Sequence, residues 1–240
     1  MVQSQTGVYV DGLNFYYGAL KTGQQKWLDL ESFARLLLPH DDITIIRYFT
    51  ATVNARPADP RVPIRQQTYL RALATLPLVS IHKGRFTTRV RSKVLADQYE
   101  SHLELFVPHF RPRFIYKAMW NDKVRRRSDF ATRARVVIEE EKGSDVNLGV
   151  HLVSDSARGI IDKAVVISND SDLTDGITLA RNFGVDVGIL NPHKSRTSKH
   201  LKAVASFEIP FRIESLAKCQ FPVTLSDKLG REIHQPREWR

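Results

Sequence analysis

The sequence predicts an α/β protein with a central, mainly parallel sheet, helices on both faces and a basic insertion. Three observations lead there. Short strands rich in β-branched residues alternate with helical stretches, the pattern of a parallel sheet. Two of those strands run straight into aspartates, at Asp11 and at Asp170 with Asp172. Finally, the rhythm breaks across residues 87–135, where cationic and aromatic residues interleave.

Taken in order, Gly7-Val8-Tyr9-Val10 is a short buried-type strand that stops at Asp11-Gly12, where the chain must turn. Apolar residues between Leu28 and Leu38 have helical spacing, and Pro39 ends that helix. ITIIRYFTATV, from Ile43 to Val53, is a second strand. Ile64 to Leu76 is a helix with Pro63 near its start and Pro77 beyond its end, and Leu78 to Phe86 is a third strand. Ser92 is placed to cap a helix reaching Val107, with Pro108 as its stop. Val136-Val137-Ile138 is strand-like and leads through Glu139–Glu141 to Ser144, the expected cap of a helix reaching about Ser156. On this reading Asp155 and Asp162 are solvated helix-end and loop residues. AVVIS, from Ala164 to Ser168, is a buried strand; a helix follows to Phe183, with Gly184 as its C-terminal stop. Val185 to Leu190 is the next strand, and a basic helix follows around Ser195–Ala205. From Cys219 the chain reads as polar and irregular. The expected organisation is one domain over 1–215, with 87–135 inserted in it and a tail over 216–240.

Charge and composition narrow the classes. The 36 Lys and Arg against 26 Asp and Glu give a net charge of +10 over 240 residues. Between Lys83 and Arg135 there are 14 Lys or Arg and 5 Asp or Glu, a local net of +9. That excess points to a polyanionic partner, with Arg111, Arg113, Arg125, Arg126 and Arg127 as its contacts. Phe114, Tyr116 and Trp120 are available there for stacking, or for packing within the insertion. No apolar run approaches the roughly 18–20 residues of a membrane-spanning helix. The first residues pass directly into a strand, unlike a secretory signal, and one cysteine, Cys219, allows no internal disulfide. A cytoplasmic protein without a membrane partner is expected. The oligomeric state stays open, a homo-oligomer being one option.

In open parallel sheets, sites form beyond the carboxyl ends of strands where strand order reverses. If the first strand and the AVVIS strand are neighbours, Asp11 and Asp170 share a crevice, and Asp145, in the first turn of its helix, can reach it from the side. Carboxylates crowded in this way repel unless protonated or neutralised by a cation. Oxygen-only ligation favours Mg²⁺ or Mn²⁺ over zinc. Asp172 is equally read as a turn residue or helix cap. No G-x-G-x-x-G follows the first strand and no P-loop is present, so a nucleotide-binding Rossmann enzyme lacks support.

YVDGLNFYYG, EEKGSDVNLGVHLVSD and AVVISNDSDLTDGITLARNFGVDVGILNP, in this order, resemble the NYN-domain family of PIN-like metal-dependent ribonucleases. The resemblance implies a PIN-like, Rossmannoid three-layer fold. It makes Asp11, Asp145, Asp170 and Asp172 both the catalytic carboxylates and the ligands of Mg²⁺ or Mn²⁺, with Asn14 supporting Asp11 or a phosphate. The implied activity is metal-assisted phosphodiester hydrolysis, most simply by an RNA endonuclease; the alternative is an inactive PIN-like module that binds RNA or DNA. Two departures stand out. The usual SGD is Ser168-Asn169-Asp170, and His151 stands where many members carry another aspartate. Six residues past Asp145, His151 points about 120° away from it, placed to contact a neighbouring element or to orient a group behind the metal ligands.

Overall fold

A computed structural model describes residues 4–55, 59–94 and 133–240. The chain forms two compact units, one of Met1–Phe86 with Glu141–Arg240 and one of Thr87–Glu140. Of the second unit the described parts are the outer lengths of two strands, where the Thr87 hydroxyl donates to the Glu140 carbonyl.

The main sheet holds β1 (Gln5–Asp11), β2 (Asp42–Ala51), β3 (Val79–Val94), β4 (Arg133–Lys142), β5 (Lys163–Ile167), β6 (Asp186–Leu190) and β7 (Phe207–Glu208). Their order is β4-β3-β2-β1-β5-β6-β7. β1 pairs in parallel with β2 on one side and with β5 on the other, and the pairings onward to β3, β6 and β7 are parallel too. Successive strands thus run outward from β1 in one direction and then, from β5, in the other. The order reverses between β1 and β5, where a parallel sheet leaves a crevice at its carboxyl edge.

Alternation along β1 sets the two faces. Val8 and Val10 join a core with Phe15, Trp27 and the buried sides of α2 (Leu30–Leu37) and α3 (Val62–Leu73). Tyr9 points the other way, with Leu148 and Leu152 of α4 (Ser144–Ala157), Ile177 and Ala180 of α5 (Thr174–Asn182), and Leu201 of α6 (Lys199–Val204). The result is a three-layer α/β fold with helices on both faces of a mostly parallel sheet.

Several elements differ from the sequence reading. Gly12–Leu20 is helical from the first residue after β1, as α1 (Gly12–Phe15) followed by a wider π-type turn. α2 starts two residues later than expected because Asp29 caps it, accepting from the Glu31 and Ser32 amides. Ser92 lies in β3, not at a helix cap; the period-two run of β-branched and cationic residues around it carries the strand on to Val94. The rest of the expected helix, 95–107, lies outside the described residues. Asp155 is no solvated helix-end residue: it is 1% exposed. It accepts two bonds from the Arg47 guanidinium, at 2.6 and 2.8 Å, and one from the Tyr9 hydroxyl at 2.7 Å. Periodicity missed this because its partners come from β1 and β2, more than a hundred residues earlier.

The segment after Cys219 is also built into the unit. Phe221 and Ile233 are buried in the core that contains Trp27. The Trp27 indole N–H donates to the Pro222 carbonyl at 2.9 Å. β8 (Thr224–Ser226) and β9 (Glu232–His234) form an antiparallel hairpin. Phe221, Ile233 and Trp239 are widely spaced and carry no detectable period, yet Phe221 and Trp239 pack on the Trp27 ring at 5.7 and 6.3 Å and Ile233 joins the same core.

Candidate active site

Asp11 closes β1 and caps α1. One carboxylate oxygen accepts the Asn14 amide at 2.9 Å and the other accepts the Ser168 hydroxyl at 2.9 Å. Ser168, one residue past β5, accepts in turn from the Asp170 amide at 3.1 Å. Asp170 caps the short 3₁₀ turn Ser171–Leu173, its carboxylate accepting from the Asp172 amide at 2.9 Å. The adjacency of β1 and β5 therefore brings Asp11 and Asp170 to one crevice, joined through a single serine hydroxyl. Asp145 reaches that crevice from the first turn of α4. Asp172 is exposed.

Asn14 ties this crevice to the next loop. Its side-chain oxygen accepts the Asn169 amide at 3.1 Å and lies 3.0 Å from His193 Nε2. The Asn169 side chain accepts the Ser198 amide at 2.8 Å, so the residue standing in place of the usual glycine anchors the approach to α6. From sequence Ser168 and Asn169 stood out only as a departure from the SGD pattern, without a role, and His193 was not singled out. Serine after a strand and histidine after Asn-Pro carry no periodic signal, and only the fold brings them to Asn14 and Asp11.

The charges are crowded. Burial is the main force raising the Asp11 carboxyl to about 6, with Asp170 and Glu141 adding to it and the Asn14 and Ser168 bonds opposing it. Burial likewise raises Asp145 to about 7, helped by the nearby negative charges of Asp11, Asp170, Glu141 and Asp172. Glu141, at the end of β4, is a fifth member of this field; its carboxylate accepts the Ser144 amide at 3.0 Å. The oxygen-only donor set suits Mg²⁺ or Mn²⁺. Among the described residues, however, no three His, Cys, Asp or Glu side chains are drawn together into a ready ligand group. The four aspartates share a field, not a closed cage.

Beside the Asp11 turn a cleft of about 210 Å³ opens. Gly12 and Leu13, the residues directly after Asp11, line it together with Tyr16, Tyr48, Tyr69 and Trp239. A side chain at position 12 would strike the Tyr48 ring, whose Cζ lies 2.5 Å from the place of a Cβ, so glycine is what lets the tyrosine close over the turn. Tyr69 holds its orientation by donating to the Leu28 carbonyl at 2.9 Å, and its ring meets those of Tyr48 and Trp239 at 6.3 and 6.1 Å.

His151 faces β2 and β3, away from the acids: its ring lies 4.1 Å from that of His82 and 5.7 Å from that of Phe49. Burial holds both histidines below the ordinary imidazole value, His82 at about 4. Arg111, Arg113, Arg125, Arg126 and Arg127, and with them Phe114, Tyr116 and Trp120, lie outside the described residues. No described helix is long and apolar enough to cross a membrane.

No family model matches the chain. Among solved structures, a Vibrio parahaemolyticus protein of unknown function is similar at 13% identity and a TM-score of 0.45, over 86% of this chain and 92% of that one. Among curated proteins, the chain is similar to the 6-hydroxy-3-succinoylpyridine 3-monooxygenase HspA of Pseudomonas putida. The two are 28% identical over 257 residues, spanning 98% of this chain and 75% of that protein. This relative overturns the expected ribonuclease, and with it the hydrolase class and the inactive nucleic-acid-binding module: it carries the name of an oxygenase along nearly the whole chain. The carboxyl edge of a parallel sheet fixes where chemistry occurs, but aspartates there do not by themselves select phosphodiester hydrolysis. The fold gathers Asp11, Asp145 and Asp170 at one edge of the sheet, and the reaction assigned to them is corrected.

Proposed function

We propose that the chain is an oxidoreductase of the monooxygenase kind, acting on a hydroxylated single-ring aromatic or heteroaromatic compound. The reading is carried by the likeness to the Pseudomonas monooxygenase, which extends over 98% of this chain and so takes in crevice, cleft and C-terminal segment together. In the reaction a ring C–H bond is replaced by C–OH. One atom of O₂ enters the product, the other leaves as water, and a reduced nicotinamide or reduced flavin supplies two electrons.

The chain's own residues have a defined part in this. Asp145, held near 7 and half-buried, is poised to take the proton of a ring hydroxyl at neutral pH, which makes the ring electron-rich. Asp11, fixed by Asn14 and Ser168, keeps a second carboxyl beside the cleft mouth. Asp11 and Asp170, with Asp172, would supply the oxygens for a Mg²⁺ or Mn²⁺ ion, which would neutralise the crowded charge when bound. The PIN-like variant of the three-layer fold belongs to the same proposal. Its support is the resemblance of the VDGLN, KGSD and SNDSD segments to NYN domains, together with the reversal of strand order beside Asp11.

The test is aerobic incubation with 6-hydroxy-3-succinoylpyridine and a reduced nicotinamide, with and without flavin, under ¹⁸O₂. Substrate-dependent oxidation of the donor and one labelled oxygen per product molecule are expected. Absence of donor oxidation, or label entering only from H₂¹⁸O, overturns the reading.

A further inference from the structure

The cleft that opens beside the Asp11 turn combines aromatic walls, set edge to face, with cationic side chains. Lys21, Lys26 and Arg65 all line it. Arg65 is committed, pairing with Asp59 and with Glu238. The two lysines take part in no ion pair among the described residues; Lys21 instead sits over the Tyr17 ring at 5.0 Å. Lys26 is half-buried, so an anion meeting it is screened less than at an open surface. The aromatic faces of Tyr16, Tyr69 and Trp239 offer a planar ring a stacking surface. At about 210 Å³ the space is smaller than the roughly 300–1,000 Å³ that hold drug-sized ligands, a size that suits one ring with a short tail.

We propose that this cleft is the substrate subsite, taking an aromatic ring between Tyr16, Tyr69 and Trp239 and a tail carboxylate at Lys21 and Lys26. The assignment rests on the monooxygenase reading and narrows it to ring-bearing carboxylic acids. Gly12 and Leu13 belong both to the cleft wall and to the turn that Asp11 caps, so a ring seated there meets the residues that directly follow Asp11. The lysines select the charge of the tail, and their place in the wall sets which way round the ligand enters.

Calorimetric titration tests the subsite apart from turnover. The ligands are 6-hydroxy-3-succinoylpyridine and its methyl ester, which keeps the ring and removes the charge. The acid is expected to bind at least about tenfold more tightly than the ester, a preference worth roughly 1.4 kcal/mol. The double variant Lys21→Gln, Lys26→Gln is expected to bind both equally, with the circular dichroism and Tm of the parent. Equal binding of acid and ester by the parent, binding of neither, or a preference that survives in the folded double variant overturns the subsite. The arms separate the two proposals. Charge-selective binding without oxygen incorporation upholds the cleft and sinks the monooxygenase; oxygen incorporation without charge preference does the reverse.

Discussion

The fold opposes the charge of Asp145. Burial and four neighbouring carboxylates raise it from the ordinary 3.8 to about 7. In the folded protein it therefore keeps a proton that the unfolded chain gives up. The stability contributed by that proton is complete below about 3.8 and is lost as pH rises through about 7. Tm should accordingly fall between about pH 4 and pH 8, as scanning fluorimetry would record. Asp145→Asn should flatten that fall and exceed the parent at the alkaline end; an unchanged slope would remove Asp145 as its source. At about pH 8, added Mn²⁺ should raise the parental Tm, and Asp170→Asn should lose that rise. The residues responsible were largely legible: strand ends turned Asp11 and Asp170 into candidates, and the helix start did so for Asp145. Glu141 was not, and Ser168 and Asn169 showed only as a departure from a pattern, because their roles depend on which strands become neighbours. The same aspartates also misled, since their pattern names a place for chemistry and the reaction had to come from elsewhere.

At the scale of elements, α4 and α5 hold Asp145 against the Asp170 turn, and they meet through glycines. A Cβ at Gly176 would lie 3.2 Å from the Gly149 Cα, tighter than an ordinary contact, whereas a Cβ at Gly149 meets nothing within 4 Å. Gly176→Ala should therefore push α5 outward and destabilise by about 1–3 kcal/mol. Gly149→Ala, in a helix interior with free space, should stabilise by roughly 0.5–1 kcal/mol. Urea unfolding of the two variants checks this, and equal effects would discount the close approach. Strands β1, β2, β5 and β6 and helices α2 to α5 could be read from apolar periodicity and proline punctuation. The helical turn at Gly12 could not, because its buried residues, Gly12 and Phe15, are too few to show a period. β3 misled for another reason: its outer half keeps the strand period while its composition turns cationic.

Across the whole molecule, a buried ion pair ties the first two strands to α4. Asp155 of α4 binds Arg47 of β2 and Tyr9 of β1, with His82 and His151 packed alongside. Removing the guanidinium would strand a carboxylate that is 1% exposed, so Arg47→Met should cost about 3–5 kcal/mol. The double change Arg47→Met, Asp155→Leu should recover much of that loss in chemical denaturation; a single variant as stable as the parent would show the pair to be dispensable. No periodicity exposes such a clamp, since each partner reads as an ordinary charge within its own element. The cleft has a different ancestry in the chain. Its acids hang from the first and fifth strands, whereas Trp239 reaches it from a short 3₁₀ turn after the β8–β9 hairpin. Reactivity and selectivity are thus inherited from separate stretches of sequence. Drift around Trp239 can retune which ring is admitted while the aspartates stay in place, so proteins sharing this sheet can diverge in diet before they diverge in chemistry.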